Sequence, residues 1–175
     1  MPDELTLGST TASVDESSIV ITVELVNDSD RTLHAYQDAR RVVFDEAAGV
    51  LHVGLTDRAG DDNGNPSSFV MPNFTSVDPH GATTITVRIP RVLTRIAGAS
   101  GQGGVQLERV AIDQAAQVLV EVAWNDTPFY PDPRRLEAGD AHPAAALRRW
   151  ERGTATTQVP LRGGGGSSHG DHSAS

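Results

Sequence analysis

The amino-acid sequence predicts a mainly β protein: an antiparallel β-sandwich with a short C-terminal helix and a disordered tail. Three observations predict it. Short segments rich in β-branched residues alternate apolar and polar side chains with period two. Clusters of Gly, Pro, Asn, Asp and Ser separate those segments and supply turns. No long helix signature stands between them, so the strand–helix alternation of a parallel sheet is missing. On this spacing about seven to nine short strands are expected.

The clearest strand is SSIVITVELVN, where Ile19, Ile21, Val23 and Leu25 share one face and Thr22 and Glu24 the other. It runs into NDSDR, a run of Asx and Ser residues suited to local turns. TLHAYQ and RRVVFDE are expected as short strands. AAGVLHVGLTD follows, with Gly49 in the preceding turn, Leu51, Val53 and Leu55 inward, and His52 and Thr56 outward. Phe69 and Val70 would open another strand, which Pro72 interrupts or confines to an edge. DPHG is a turn with Pro79 second and Gly81 fourth. It leads into ATTITVRIP, with Ile85, Val87 and Ile89 inward. RVLTRIA is expected as a helical turn or an irregular crossover, and GASGQGG as a flexible loop. VQLERVAID and QVLVEVAWND are expected to pair as a hairpin, with Val118, Val120, Val122 and Trp124 on one face and Trp124 as a core anchor.

The character of the chain changes after residue 126. TPFYPDP is proline-rich and stiff. DAHPAAALRRWERG carries a helix signature, with Pro143 near the first turn, an Ala-rich interior, Arg in the last turn and Gly153 just beyond. TATTQVPL is expected as a last edge strand. The organisation is therefore a sandwich over residues 1–126, an appended Pro-rich segment, helix and edge strand over 127–162, and a Gly/Ser/His tail over 163–175 expected to be disordered.

Composition excludes several chemistries. The 175 residues include no Cys, which removes disulfides, thiol nucleophiles and Cys-ligated zinc. They include no Lys either, so all 14 basic residues are Arg, and Schiff-base lysines and P-loop lysines are excluded. A formal net charge of −9 repels phosphate backbones and anionic lipid, so neither nucleic acid nor membrane is expected as a partner. The segment MPDELTLGSTTASVDESS has no basic n-region and no apolar h-region, so no signal peptide is expected, and a cytoplasmic protein is the default.

The residues from ITVELVNDSDRTL to VDPHGATTITVRIP resemble bacterial immunoglobulin-like and fibronectin-III-like modules. The resemblance rests on VNDSD at 26–30, VDPHG at 77–81 and TITV at 84–87, and covers roughly residues 5–125. The Cys-Trp-Cys core of antibody domains is absent. The resemblance implies an immunoglobulin-like sandwich and a habit of binding other proteins. It implies no catalytic residue and no cofactor, and fold alone does not set function.

Candidate sites are few. TDRAGDDNGNPSS brings Asp57, Asp61, Asp62 and Asn63 together as hard oxygen ligands of the kind calcium takes. The EF-hand template fails in both registers: one places Ala59 first, and the other places Asp62 where Gly belongs and Ser68 where Glu belongs. DNG also suits a tight turn, so a solvated loop is the favoured reading. His169, Asp171 and His172 in the tail are further metal candidates, on a segment that would lose much entropy on ordering. His34, His52, His80 and His142 each have an ordinary structural home, and no G-x-S-x-G elbow is present. Phe129, Tyr130, Arg148, Arg149 and Trp150 are the candidate partner-binding residues. The favoured readings are that Phe129 and Tyr130 pin a crossing segment to the sandwich and that the arginines complement the helix dipole.

The function these features favour is a non-enzymatic protein-interaction or accessory module. It would bind a protein partner, with self-association as a further option, through loops such as 56–68 and 98–104. A hydrolase or metal-dependent enzyme on the sandwich, and a loop-presenting proteinase inhibitor, are the alternatives.

Overall fold

A computed structural model describes residues 3–57, 71–99, 104–129 and 143–163. Among the described residues eleven strands and one helix follow in order: β1 (Leu5–Val14), β2 (Ser18–Asn27), β3 (Leu33–Tyr36), β4 (Arg41–Asp45), β5 (Val50–Leu55), β6 (Phe74–Val77), β7 (Ala82–Pro90), β8 (Val92–Ala99), β9 (Val105–Ala111), β10 (Gln117–Asn125), α1 (Pro143–Trp150) and β11 (Gly153–Arg162). The protein is mainly β, as the alternating segments predict.

Nine strands form one curled sheet in the order β4-β5-β10-β11-β1-β2-β7. β3 pairs with the end of β10 through Trp124↔Ala35 and Asn125↔His34, and β6 pairs with the other edge of β3. The sheet is mixed, not antiparallel. β5 runs parallel to β10 over Gln117–Val122, and β1 runs parallel to the end of β11 at Ala12↔Leu161 and Ser13↔Arg162. The first departure has a local cause. After β3 the chain steps outward by one strand position to β4, and the β4–β5 hairpin then returns β5 into the place beside β10 that β3 has left. The Arg40 amide donates to the Gly54 carbonyl at 2.7 Å, which fixes this step.

The core follows the predicted faces. Ile19, Ile21, Val23 and Leu25 of β2, Ile85, Val87 and Ile89 of β7, Leu51, Val53 and Leu55 of β5, and Val118, Val120, Val122 and Trp124 of β10 are all buried in one cluster. Three elements depart from expectation. RVLTRIA is a strand, β8, because Leu93 turns to the core between the exposed Val92 and Thr94 and β9 supplies a partner. VQLERVA therefore pairs with β8 and not with β10, and the two form a separate two-stranded ribbon. The C-terminal strand β11 is not at an edge. It pairs with β10 from Gln117↔Pro160 to Trp124↔Gly153 and meets β1 on its other side. β1 itself is a long strand over LTLGSTTASV, whose Thr, Ser and Gly content conceals it.

Two polar knots tie the halves of the sheet together. Asn27, fully buried at the end of β2, donates from Nδ2 to the carbonyls of Arg31 (2.7 Å), Val77 (3.0 Å) and Asp78 (3.0 Å). Its Oδ1 accepts from the Ser29 amide and hydroxyl. The adjoining DPHG turn closes as expected, with the Gly81 amide on the Asp78 carbonyl and His80 at φ 55°, the left-handed residue that a type II turn requires third. In the second knot Arg31 and Arg152 each pair with both Glu4 and Asp126. Burial alone would push the Asp126 carboxyl up. Arg152 and Arg31, with the Thr127 hydroxyl, outweigh that and hold it below the usual carboxylate range.

Candidate functional site

Three features stand out: a buried carboxylate cluster under an aromatic group, a groove on the outer face of the sheet, and the β8–β9 ribbon.

The carboxylate cluster forms where α1 ends. Glu151 follows the last turn of α1, and its amide still bonds the Leu147 carbonyl. Leu147 is fully buried and anchors the helix, so Glu151 is carried inward and is only 4% exposed. Its Oε1 accepts the Asp57 amide at 2.6 Å and its Oε2 accepts the Thr56 hydroxyl at 2.8 Å. The Asp57 carboxylate in turn accepts the Tyr36 hydroxyl at 3.1 Å and meets Arg40 Nε at 3.4 Å. Burial pushes the Glu151 carboxyl above the usual range, and the nearby Asp57 charge adds to this. Hydrogen bonds from the Asp57 amide, Thr56 and Tyr36 oppose it only in part. Burial, with Glu151 and Asp57 alongside, also pushes the Tyr36 phenol far up, so that it remains a donor.

Above this cluster lie four rings. Trp150 stands edge-on to Phe74 at 4.9 Å and to Tyr36 at 5.7 Å, and Phe129 lies 6.0 Å from Phe74 and 6.1 Å from Trp150 between centroids. The Trp150 indole N–H donates to the Thr127 carbonyl at 2.7 Å, and Asn125 Nδ2 donates to the Trp150 carbonyl. Two of the residues singled out in the sequence, Phe129 and Trp150, thus meet here and are half-buried against the core. Arg149 is exposed on α1, and Arg148 is half-buried. Tyr130 lies outside the described residues.

Of the metal candidates only Asp57 is described, and its carboxylate is engaged by Tyr36 and Arg40. Asp61, Asp62, Asn63, His169, Asp171 and His172 lie outside the described residues. Among the described residues no group of three or more His, Asp and Glu side chains is placed to hold a metal ion. The histidines go separate ways. His34 Nδ1 is 3.1 Å from the Ser76 hydroxyl, His80 pairs with Asp30 at 2.6 Å, and His52 lines the outer groove. His142 is outside the described residues.

The groove has a volume of about 440 Å³ on the outer face of β4, β5 and β10. Register places Val43, His52 and Leu119 in one row across the three strands, and Arg41, Gly54 and Glu121 in the next. Gly54 contributes no side chain, so the second row has a notch at its centre.

The β8–β9 ribbon is fastened at its base. The Ile112 amide bonds the Arg91 carbonyl at 2.9 Å, and the Arg91 guanidinium bonds Asp113 at 2.6 Å and the Glu16 carbonyl at 3.2 Å. Leu93 and Val110, paired across the strands, pack on the core. The opposite face carries Val92 (39% exposed), Thr94, Arg109 and Leu107 (67% exposed). Of the 98–104 segment singled out in the sequence, Gly98 and Ala99 end β8 and Gly104 precedes β9, and residues 100–103 lie outside the described residues.

The sequence concealed Glu151 because it stands among arginines and reads as part of a solvated helix end. It also concealed the outer groove, since one glycine in a strand carries no local signal of a notch.

The chain matches no protein-family model and no curated protein. Among the described residues no helix is long and apolar enough to cross a membrane.

Proposed function

We propose that this protein is a non-enzymatic protein-interaction module on an immunoglobulin-like β-sandwich, acting in the cytoplasm. The observation that carries the reading is the β8–β9 ribbon, which stands apart from the main sheet and turns Leu107 and Val92 to solvent. An isolated two-stranded ribbon is marginally stable in water, and apolar side chains on its free face gain by being covered. The immunoglobulin-like part of the reading is supported by strand neighbours. β1-β2-β7 make one run and β11-β10-β3-β6 another, an arrangement in keeping with the two sheets of such domains, while the β4–β5 hairpin and the ribbon are additions to it.

A hydrolytic reading would place its acid and base at Glu151 and Asp57. Against it, Glu151 is sealed from solvent and both of its oxygens already accept hydrogen bonds, which leaves no room for substrate. An inhibitor reading is a special case of the interaction module.

The test is cross-linking and affinity capture from the source organism's lysate, with the full chain and a Leu107→Asp variant as baits. A partner captured by the wild-type chain and lost with the variant is expected. Failure to capture any partner reproducibly, or equal capture by the variant, overturns the reading.

A further inference from the structure

We infer that the groove on the outer face of β4, β5 and β10 is a docking site for an arginine side chain carried by an extended segment of a partner protein. The inference rests on the interaction-module reading but uses a different surface from the ribbon.

The argument starts from Glu121. It is half-buried on β10, and neither it nor His52 makes a side-chain hydrogen bond or ion pair among the described residues. A carboxylate partly withdrawn from water gains most from a cation that brings its own donors. Beside Glu121, Gly54 leaves a shallow notch: a Cβ built there would sit in ordinary van der Waals contact, 3.4 Å from Thr56 and 3.6 Å from Arg41, so the sheet surface is lowered by about one methyl. Glycine inside a strand often marks the place where a ligand approaches the sheet closely. In the adjoining row Val43, 41% exposed, and Leu119 offer apolar walls for an aliphatic stem, with the His52 imidazole between them. The volume of about 440 Å³ holds such a side chain with part of its backbone.

Charge selects the ligand. Asp45 and Glu121 outweigh Arg41 in the lining, and the whole chain carries −9, so a cationic segment is drawn in and an anionic one repelled. Arg41, already engaged, stands across the notch from Glu121. Guanidinium suits the groove better than ammonium. It is planar, less strongly hydrated and able to stack on an imidazole, so it loses less on entering a partly apolar site.

The experiment titrates the isotope-labelled full chain with acetyl-Val-Arg-Val-amide at low salt, followed by amide NMR. Saturable shifts confined to residues around His52, Gly54, Leu119 and Glu121 are expected, with a dissociation constant on the order of millimolar, as befits one side chain. Glu121→Gln should weaken binding about tenfold, one decade of affinity. Val43→Ser, which keeps every charge, should weaken it a few-fold and stands in should the first variant misfold. Equal binding of the Val-Gln-Val or Val-Lys-Val peptide, shifts scattered over the acidic surface, unchanged binding by Glu121→Gln and Val43→Ser, or self-association abolished by Glu121→Gln would each overturn the inference. Loss of peptide binding alongside intact Leu107-dependent capture would remove the groove and leave the module reading standing.

Discussion

Replacing Asn27 with Ala should be among the most damaging single changes outside the apolar core. The side chain is fully buried and serves three carbonyls and two donors, in segments up to 51 residues away. Of its bonds, that to the Val77 carbonyl is buried, while those to Arg31, Asp78 and Ser29 are partly open to water. An orphaned buried acceptor costs about 1–3 kcal/mol, and each partly open bond contributes about 0.5 kcal/mol after water replaces it. The sum over the one buried bond and the four partly open ones is about 3–5 kcal/mol, a large share of the roughly 5–15 kcal/mol that a domain has in total. Urea unfolding followed by tryptophan fluorescence reads this directly. With a slope of about 2 kcal/mol per molar, the midpoint should fall by about 1.5–2.5 M at unchanged slope. Asn27→Asp supplies the control for direction. Three carbonyl oxygens around Nδ2 require a donor there, so a carboxylate should be worse than Ala at pH 7 and should recover when protonated at acid pH. A midpoint change under 0.5 M for Asn27→Ala, or an Asp variant as stable as wild type at pH 7, would refute the reasoning.

Two further perturbations test the interior. Glu151 has its folded-state pKa raised, so its contribution to stability is fully present below the ordinary value of 4.5 and is lost as pH rises through the raised one. Glu151→Gln keeps the acceptor for the Asp57 amide and should flatten the fall in melting temperature between pH 4.5 and 8. Glu151→Ala strands the Asp57 amide and the Thr56 hydroxyl and should cost about 2–4 kcal/mol in denaturant titrations. At Gly153 a Cβ would sit 2.8–3.0 Å from three ring atoms of the buried Trp124, so Gly153→Ala should cost about 1–3 kcal/mol and alter the near-ultraviolet circular dichroism of that indole.

The sites illustrate how local and distant information divide. Trp150 and Phe129 were visible as aromatic residues near a helix, and packing against the sandwich was one of two open readings. Their actual neighbours, Tyr36 and Phe74, come from strands far earlier in the chain. Glu151 meets its partners Thr56 and Asp57 across separations of 95 and 94 residues, and no local pattern announces such a meeting.

What the sequence determined by itself were strand identity and face. Period-two alternation is a property of the backbone pleat, so Ile19 to Leu25, Ile85 to Ile89 and Val118 to Trp124 could be assigned inward without knowing their neighbours. Turn chemistry was equally local, which is why DPHG and the helix from Pro143 were legible. What only the tertiary structure decided was pairing. An inward face suits a parallel or an antiparallel neighbour alike, and a run such as VQLERVA alternates equally well beside β8 or β10. The choice depends on where intervening segments place each edge: the outward step after β3 makes β5 parallel to β10, the ribbon takes β9 away, and β11 closes the gap between β10 and β1. The outer groove and the buried carboxylates are consequences of that pairing, because only strand order sets Gly54 between Arg41 and Glu121 and brings Glu151 beneath the end of β5.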